Sequence, residues 1–326
     1  MDSGSTEILL DVGCFRLYKD GHVDRLSGMD TVPAGFDADT GVTSKDVVID
    51  DVTGVSVRLY LPDARAVESS DDTDTVVTTK LPIVVFFHGG YFIVGSAGCP
   101  GNHRYLNSLA SDARVLVVSV DYRLAPEHPL PAAYDDSWAA LRWAVSGADP
   151  WLSEHGDLGR VFLAGCSAGG NIAHNMAIAA GLTGLPAAAV VQARIVGAIL
   201  LHPSFSGEVK LDREEEEYRA SVKKRWTAIF PDARGGLDDP SMNPLAAGAP
   251  SLRTLPCERM LVCAASEDPR LPREQAYYEA VKSSGWGGDV QWFESEGEGH
   301  GFFVEGHGGR EAVAIMERVV GFISGH

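Results

Sequence analysis

The chain has 326 residues, 45% of them hydrophobic and 22% charged, an ordinary balance for a globular protein with enough material for a large core. Its 45 acidic residues against 27 basic ones give a formal charge of −18, which argues against nucleic acid or an anionic membrane as a partner. The five cysteines are odd in number and show no C-x-x-C spacing, so unpaired thiols in a reducing compartment are expected. The acidic start, Met-Asp-Ser-Gly-Ser-Thr-Glu, has no basic and apolar signal-peptide pattern, and no apolar run reaches the ~18 residues of a membrane span.

Residues 1–45 are polar apart from one amphipathic piece, Ile8 to Tyr18, whose spacing permits a helix interrupted at Gly13. From Val47 to Leu61 apolar residues alternate around Thr53-Gly54, which predicts an antiparallel hairpin. Residues 63–79 read as a solvated, low-complexity loop. Leu81 to Phe87 is a continuous apolar run of strand length that ends in His88-Gly89-Gly90-Tyr91. A helix is expected from about Asn102 to Ala113, then a strand from Val115 to Val120. The segment Leu124 to Pro131 carries too many prolines for helix or central strand, and helical spacing resumes from Ala133 to Ser146. A strand at Val161 to Ala164 turns into a helix just after Ser167. Further strands are expected at Ile195 to Leu201, Met260 to Ala265 and Val290 to Phe293, with helices at Glu274 to Ser284 and Arg310 to Ile323.

Strands alternating with helices imply a mostly parallel sheet with helices on both faces, in one α/β domain. Residues 204–250 break that rhythm with an acidic run, Glu214 to Glu217, read as a solvated helix face, and with several Pro and Gly. An insertion there lies over the carboxyl ends of the strands, where open α/β sheets bind ligands. It reads as a lid, joined by residues 1–45.

The chemistry centres on Gly165-Cys166-Ser167-Ala168-Gly169, a G-x-S-x-G nucleophile elbow between a strand and a helix. A serine hydroxyl needs an adjacent base, itself oriented by an acid, and in elbow hydrolases these follow in the order acid, then histidine. Asp268 falls three residues past one late strand, and His300 falls in the loop past the next. The other acids within reach are Glu267 and Glu298. Among the other histidines, His174 is expected in the packed interior or on a helix flank, and His202, followed by proline, is expected to be structural. His103, His128, His155 and His307 have no strand end before them. The amides of Gly89, Gly90 and Ala168 are the candidate oxyanion donors, each worth on the order of 3 kcal/mol. Tyr91, Phe92, Ile93, Trp226, Phe230 and Phe302 are candidate pocket residues, although aromatics at such places are more often core. No His/Cys/Asp cluster has metal-ligand spacing, and no glycine-rich phosphate loop ends in Lys.

Four motifs, His88-Gly89-Gly90, Asp121 to His128, Gly165 to Asn171 and Gly299-His300-Gly301-Phe302, together resemble the plant carboxylesterases of the hormone-sensitive-lipase group of α/β-hydrolases. The opening Asp20-Gly21-His22-Val23-Asp24-Arg25 fits the same plant branch. The resemblance implies an α/β-hydrolase fold with a helical lid, a Ser167–His300–Asp268 triad, an oxyanion hole from Gly89, Gly90 and Ala168, a small ester as substrate, no cofactor, and a cytoplasmic or nuclear setting. Two positions depart from the family pattern. Cys166 stands where an acidic residue is usual and is expected to be a small buried filler, and Tyr91 replaces a third glycine and narrows the pocket. A hormone-binding protein similar to the gibberellin receptors and a dehydratase of the same family are the alternatives. The retained His300 argues against the receptor.

Overall fold

A computed structural model describes residues 7–63, 80–185, 192–306 and 308–325. The opening residues 1–6, residues 64–79 of the loop expected at 63–79, residues 186–191, His307 and His326 lie outside the described residues. Three short strands come first: β1 (Ile8–Asp11), β2 (Phe15–Tyr18) and β3 (Val23–Arg25). They form an antiparallel sheet of their own, with Gly13 at φ +82° between the first two. The helix expected over Ile8 to Tyr18 is therefore not what forms. Phe15 and Leu17 are buried while Arg16 and Tyr18 are only half-buried, a period of two. So short an apolar run cannot be assigned by periodicity alone.

The main sheet has nine strands among the described residues. They are β4 (Phe36–Asp37), β5 (Val42–Val48), β6 (Ser56–Pro62), β7 (Leu81–Phe87), β8 (Leu116–Asp121), β9 (Gly156–Cys166), β10 (Ile195–Leu201), β11 (Arg259–Ala265) and β12 (Asp289–Ser295). Their order is β12-β11-β10-β9-β7-β8-β6-β5-β4. From β8 to β12 every pairing is parallel, and β4, β5 and β6 add antiparallel strands at one edge. The hairpin expected at Val47 to Leu61 is β5 and β6, turning at Gly54 with φ +76°.

The helices are α1 (Pro100–Asp112), α2 (Ala132–Ser146), α3 (Pro150–His155), α4 (Ala168–Thr183), α5 (Glu216–Ile229), α6 (Leu271–Ser283), α7 (Phe302–Glu305) and α8 (Arg310–Ser324). Two apolar cores result, one on each face of the sheet. Val85, Leu163 and Leu200 pack on one side with α2 and α4, and Val84, Phe162 and Ile199 pack on the other with α1 and α8. A strand buried on both faces must read as a continuous apolar run, which is why β7 and β10 were plain in the sequence.

Residues 204–250 supply α5 and one short 3₁₀ turn, Gly236–Asp238. Glu215, Glu216 and Glu217 are solvent-exposed, as expected of this run, but Glu214 is buried. Its carboxylate accepts hydrogen bonds from Arg273 Nε and Nη2 at 2.7 and 2.9 Å and from Arg219 Nη1 at 2.8 Å. A carboxylate with two guanidinium partners is compensated well enough to sit out of water. The β1–β3 sheet meets this region: Phe15 packs edge-on against Tyr91 with ring centroids 5.6 Å apart, and Leu10 and Phe15 share a core with Val222 and Trp226 of α5. Arg25 fastens β3 to the main body. It donates to both carboxylate oxygens of Glu127 and to the backbone oxygens of Ile93 and Ala125.

Candidate active site

β9 is buried from Val161 onward and ends at Cys166, and the next residue must reverse the chain into α4. Ser167 does so at φ +58°, ψ −117°, a conformation that costs a side-chain-bearing residue on the order of 1–3 kcal/mol. The flanking glycines make the turn possible. A Cβ on Gly165 would stand 2.1 Å from the Gly169 carbonyl oxygen, and one on Gly169 would stand 1.8 Å from that of Phe87. Neither neighbour can move, since both are backbone. Cys166 is a small buried filler, with its thiol pushed up to about 12 by burial and so kept protonated.

Asp268 and His300 arrive from the ends of β11 and β12. His300 Nδ1 lies 2.6 Å from Asp268 Oδ2. The other carboxylate oxygen, Oδ1, accepts from the backbone N–H of Arg270 at 3.0 Å and from its Nη1 at 3.2 Å. Burial alone would raise the Asp268 pKa, but His300 and Arg270 outweigh it and hold the carboxyl well below the usual range. For His300, burial and the Arg270 charge win over the attraction of Asp268, and the imidazole is lowered to about 4. The ring is thus neutral at pH 7, with its Nδ1 proton directed at the carboxylate and Nε2 free to accept.

Ser167 and the pair stand at neighbouring strand ends, since β9, β10, β11 and β12 follow one another in the sheet. No hydrogen bond joins Ser167 to His300 in this structure. The Ser167 hydroxyl instead faces Ser204 Oγ at 3.3 Å, and Ser204 Oγ accepts from Arg270 Nε at 3.3 Å. A continuous polar path therefore runs from Ser167 through Ser204 and Arg270 to Asp268. Neither Ser204 nor Arg270 was singled out in the sequence. The only available signal was the two-residue spacing of Asp268 and Arg270.

His202, expected to be structural, sits within this cluster and is fully buried. Its Nδ1 accepts from the Gly301 N–H at 3.1 Å, and its ring lies 5.7 Å from that of His300. The ligand-capable atoms of His202, Asp268 and His300 lie within 4.8 Å of one another, a grouping that sequence spacing could not reveal because each comes from a different strand end. The donor set is a poor fit for a cation. Asp268 is already engaged by His300 and Arg270, His202 Nδ1 is engaged by Gly301, and the Arg270 charge would repel a metal ion. His174 is buried in the interior, hydrogen-bonded to Tyr277 Oη at 2.8 Å.

The candidate oxyanion donors lie beside the elbow. Phe87 pairs with Gly165, so Gly89 comes opposite Ser167, and a Cβ on Gly89 would meet Ser167 Cβ at 3.2 Å. Among the described residues nothing accepts the N–H groups of Gly89 or Gly90. Ala168 is the first residue of α4, where amides have no partner within the helix. Gly90, at φ +114°, has no room for a side chain: a Cβ would stand 1.9 Å from the Val94 carbonyl oxygen. Behind the loop, the buried His88 stacks on Tyr122 at 4.2 Å and holds the Gly89 carbonyl through Nδ1 at 2.6 Å.

The candidate pocket residues divide. Tyr91 is half-buried at the loop tip, at φ +61°, and Phe302 is half-buried beside His202. Phe92, Ile93 and Trp226 are instead core, with Phe92 edge-on to Tyr134 and Trp226 Nε1 donating to the Gly236 carbonyl. Phe230 faces elsewhere. It lines a cavity of about 340 Å³ with Tyr134, His174, Asn175 and Ser241, further along α4 from Ser167.

Comparison with known proteins identifies the family. A family described as the alpha/beta hydrolase fold matches residues 84–304. A 2-hydroxyisoflavanone dehydratase of Glycyrrhiza echinata is 43% identical, over 94% of this chain and 93% of its own length. The amyloplastic tuliposide A-converting enzyme b1 of Tulipa gesneriana is 42% identical, over 98% and 80%. Among solved structures, a hyperthermophilic esterase of Pyrobaculum calidifontis is similar with a TM-score of 0.68 at 26% identity, over 86% of this chain and 84% of its own. The esterase LipW of Mycobacterium marinum gives 0.70 at 26%, over 88% and 82%.

Proposed function

This chain belongs to the α/β-hydrolase family, in the hormone-sensitive-lipase-like branch of its plant relatives, and we propose that it is a serine carboxylesterase acting on small esters through Ser167, His300 and Asp268. The observation that carries this reading is the 2.6 Å His300–Asp268 pair beside a serine on a strained elbow, opposite two unclaimed glycine amides. When an ester enters, Ser167 exchanges Ser204 for Nε2 of His300. Catalytic hydrogen bonds of this kind commonly tighten only once substrate is bound.

Ser167 Oγ then attacks the ester carbonyl as His300 takes its proton. The oxyanion is held by the amides of Gly89, Gly90 and Ala168. Collapse of the tetrahedral intermediate breaks the bond to the alcohol oxygen, which leaves with the proton from His300. Water, deprotonated by the same ring, cleaves the acyl-enzyme and restores Ser167. Asp268 holds the Nδ1 tautomer throughout. The β1–β3 sheet and α5 act as the lid that excludes solvent from these steps.

Replacing Ser167 by Ala is expected to lower kcat for short p-nitrophenyl esters by at least about 10³-fold, as loss of a nucleophile does elsewhere. Unchanged turnover in that variant would rule the mechanism out.

A dehydratase is the second reading, favoured by the relative of that name at 43% identity. It predicts loss of water from a hydroxylated substrate by His300 as base, with no acyl-enzyme formed. Mass analysis of the products separates the two.

A further inference from the structure

Two guanidinium groups lie on the side of the site that faces the cap, the β1–β3 sheet and α5 proposed above as the lid. Arg225 comes from α5 and Arg270 stands just before α6, and their relative exposures are 7% and 3%. Both face the ring of Tyr91, with guanidinium carbons 4.6 and 5.9 Å from its centroid, and Arg270 also lies 5.4 Å from the Tyr218 ring. Tyr91 directly follows the candidate oxyanion glycines, so this cationic wall borders the place where an ester carbonyl would sit.

The countercharges do not balance. Other buried arginines in this chain have carboxylates of their own: Arg58 is paired with Asp46, and Arg273 with Glu214. Arg270 has Asp268, which also serves His300, and its Nη2 is buried without a hydrogen-bond partner. Arg225 has neither an ion pair nor a hydrogen bond among the described residues, and its guanidinium lies over the Tyr91 ring. The remaining carboxyl in the neighbourhood, Glu274, is fully buried with both oxygens unbonded. Burial and the nearby Asp268 push its pKa up, which disfavours its charged form as a countercharge. Of the two guanidinium groups, only Arg270 has an ion-pair partner, Asp268. A buried guanidinium without a partner is costly, and its planar fork matches a carboxylate. Against a chain of net charge −18, this local excess of positive charge is aimed inward.

We propose that Arg225 and Arg270, with Tyr91 between them, form a carboxylate-binding subsite beside Ser167, and that the preferred substrates are esters bearing a free carboxylate. The inference rests on the esterase reading and deepens it. An anion placed there also offsets the two positive charges that lower the basicity of His300, so the right substrate makes its own base stronger.

The test compares matched ester pairs: mono(4-nitrophenyl) glutarate against 4-nitrophenyl pentanoate for a carboxylate on the acyl side, and 4-acetoxybenzoate against phenyl acetate for one on the alcohol side. At least one anionic ester is expected to exceed its neutral partner at least tenfold in kcat/KM. Arg225→Met should collapse that ratio and Arg225→Lys should retain part of it, with the neutral ester on the same preparation reporting a folded site. Ratios near one in both pairs, or a preference that survives Arg225→Met, would overturn the proposal. Binding keeps the subsite separate from the chemistry. Calorimetric titration of Ser167→Ala with mono(4-nitrophenyl) glutarate is expected to show binding that weakens at least tenfold when Arg225→Met is added, even if no ester is turned over. Binding indifferent to that addition would contradict the subsite whatever the esterase assays give. Inorganic phosphate as a competitor distinguishes anion classes: displacement by phosphate at lower concentration than by glutarate would contradict a carboxylate site.

Discussion

The elbow and the cap are built on different principles, and the contrast explains which parts of this protein can be read from its chain. At the elbow, backbone meets backbone. Gly165 approaches Gly169, Gly169 approaches the Phe87 carbonyl, and Gly90 approaches that of Val94, so only glycine fits and the pattern shows as two short motifs, Gly89-Gly90 and Gly165 to Gly169. In the cap, side chains far apart in sequence meet. Phe15 packs on Tyr91, Arg25 on Glu127 and Glu214 on Arg273, and no short window contains both partners. Elbow geometry serves the chemistry that members of the fold share. On the proposal above, the cap decides which molecule reaches it.

The comparison predicts that damage differs in kind. Gly169→Ala should be the most severe change, because its Cβ would collide with immovable backbone. Overpacking of this sort costs about 3 kcal/mol or more, and a failure to obtain folded protein, or a collapse of Tm, is expected. A variant with an unchanged Tm would mean that the strand–helix contact is looser than described here.

Glu214→Ala should follow. It leaves Arg273 and Arg219 without their carboxylate in a buried position, a loss of about 3–5 kcal/mol for such pairs. The cap should loosen while the elbow stays intact, so that KM rises more than kcat falls and proteolysis begins in 204–250. Equal loss of kcat and kcat/KM would show that cap and elbow are one unit after all.

The smallest effect is the shift in pH response. His300 is lowered to about 4 by burial and Arg270, with Arg225 adding to the effect and Asp268 opposing it. The base works only when neutral, so activity is present above its pKa and lost as pH falls through it. The acid limb of kcat/KM for a neutral ester is therefore expected near pH 4, clearly below 6.5. A limb at 6.5 or above would show that Asp268 governs the ring more strongly than the arginines do.

Much of the fold was legible because strands buried on both faces leave continuous apolar runs, as in β7, β10 and β11. The candidate residues Ser167, Asp268 and His300 were legible by order along the chain and by distance from strand ends. Ile8 to Tyr18 permits helical spacing yet forms β1 and β2, because four-residue strands carry too few turns of any period. Phe92, Ile93 and Trp226 fill the core and Phe230 lines a different cavity, since an aromatic residue near a motif says nothing about which way its ring points. Ser204, Arg225 and Arg270 went unseen for the same reason as the cap contacts: their meaning lies in what they face.

The central claim is that Ser167 is the nucleophile that carries the acyl group. Incubating the protein with one equivalent of a p-nitrophenyl phosphonate, then mapping peptides by mass spectrometry, tests it without assuming any natural substrate. A single adduct on the Ser167 peptide, matched by full loss of esterase activity and absent from Ser167→Ala, is the result predicted here. Complete inhibition with Ser167 unmodified, or an adduct at another residue, would contradict it.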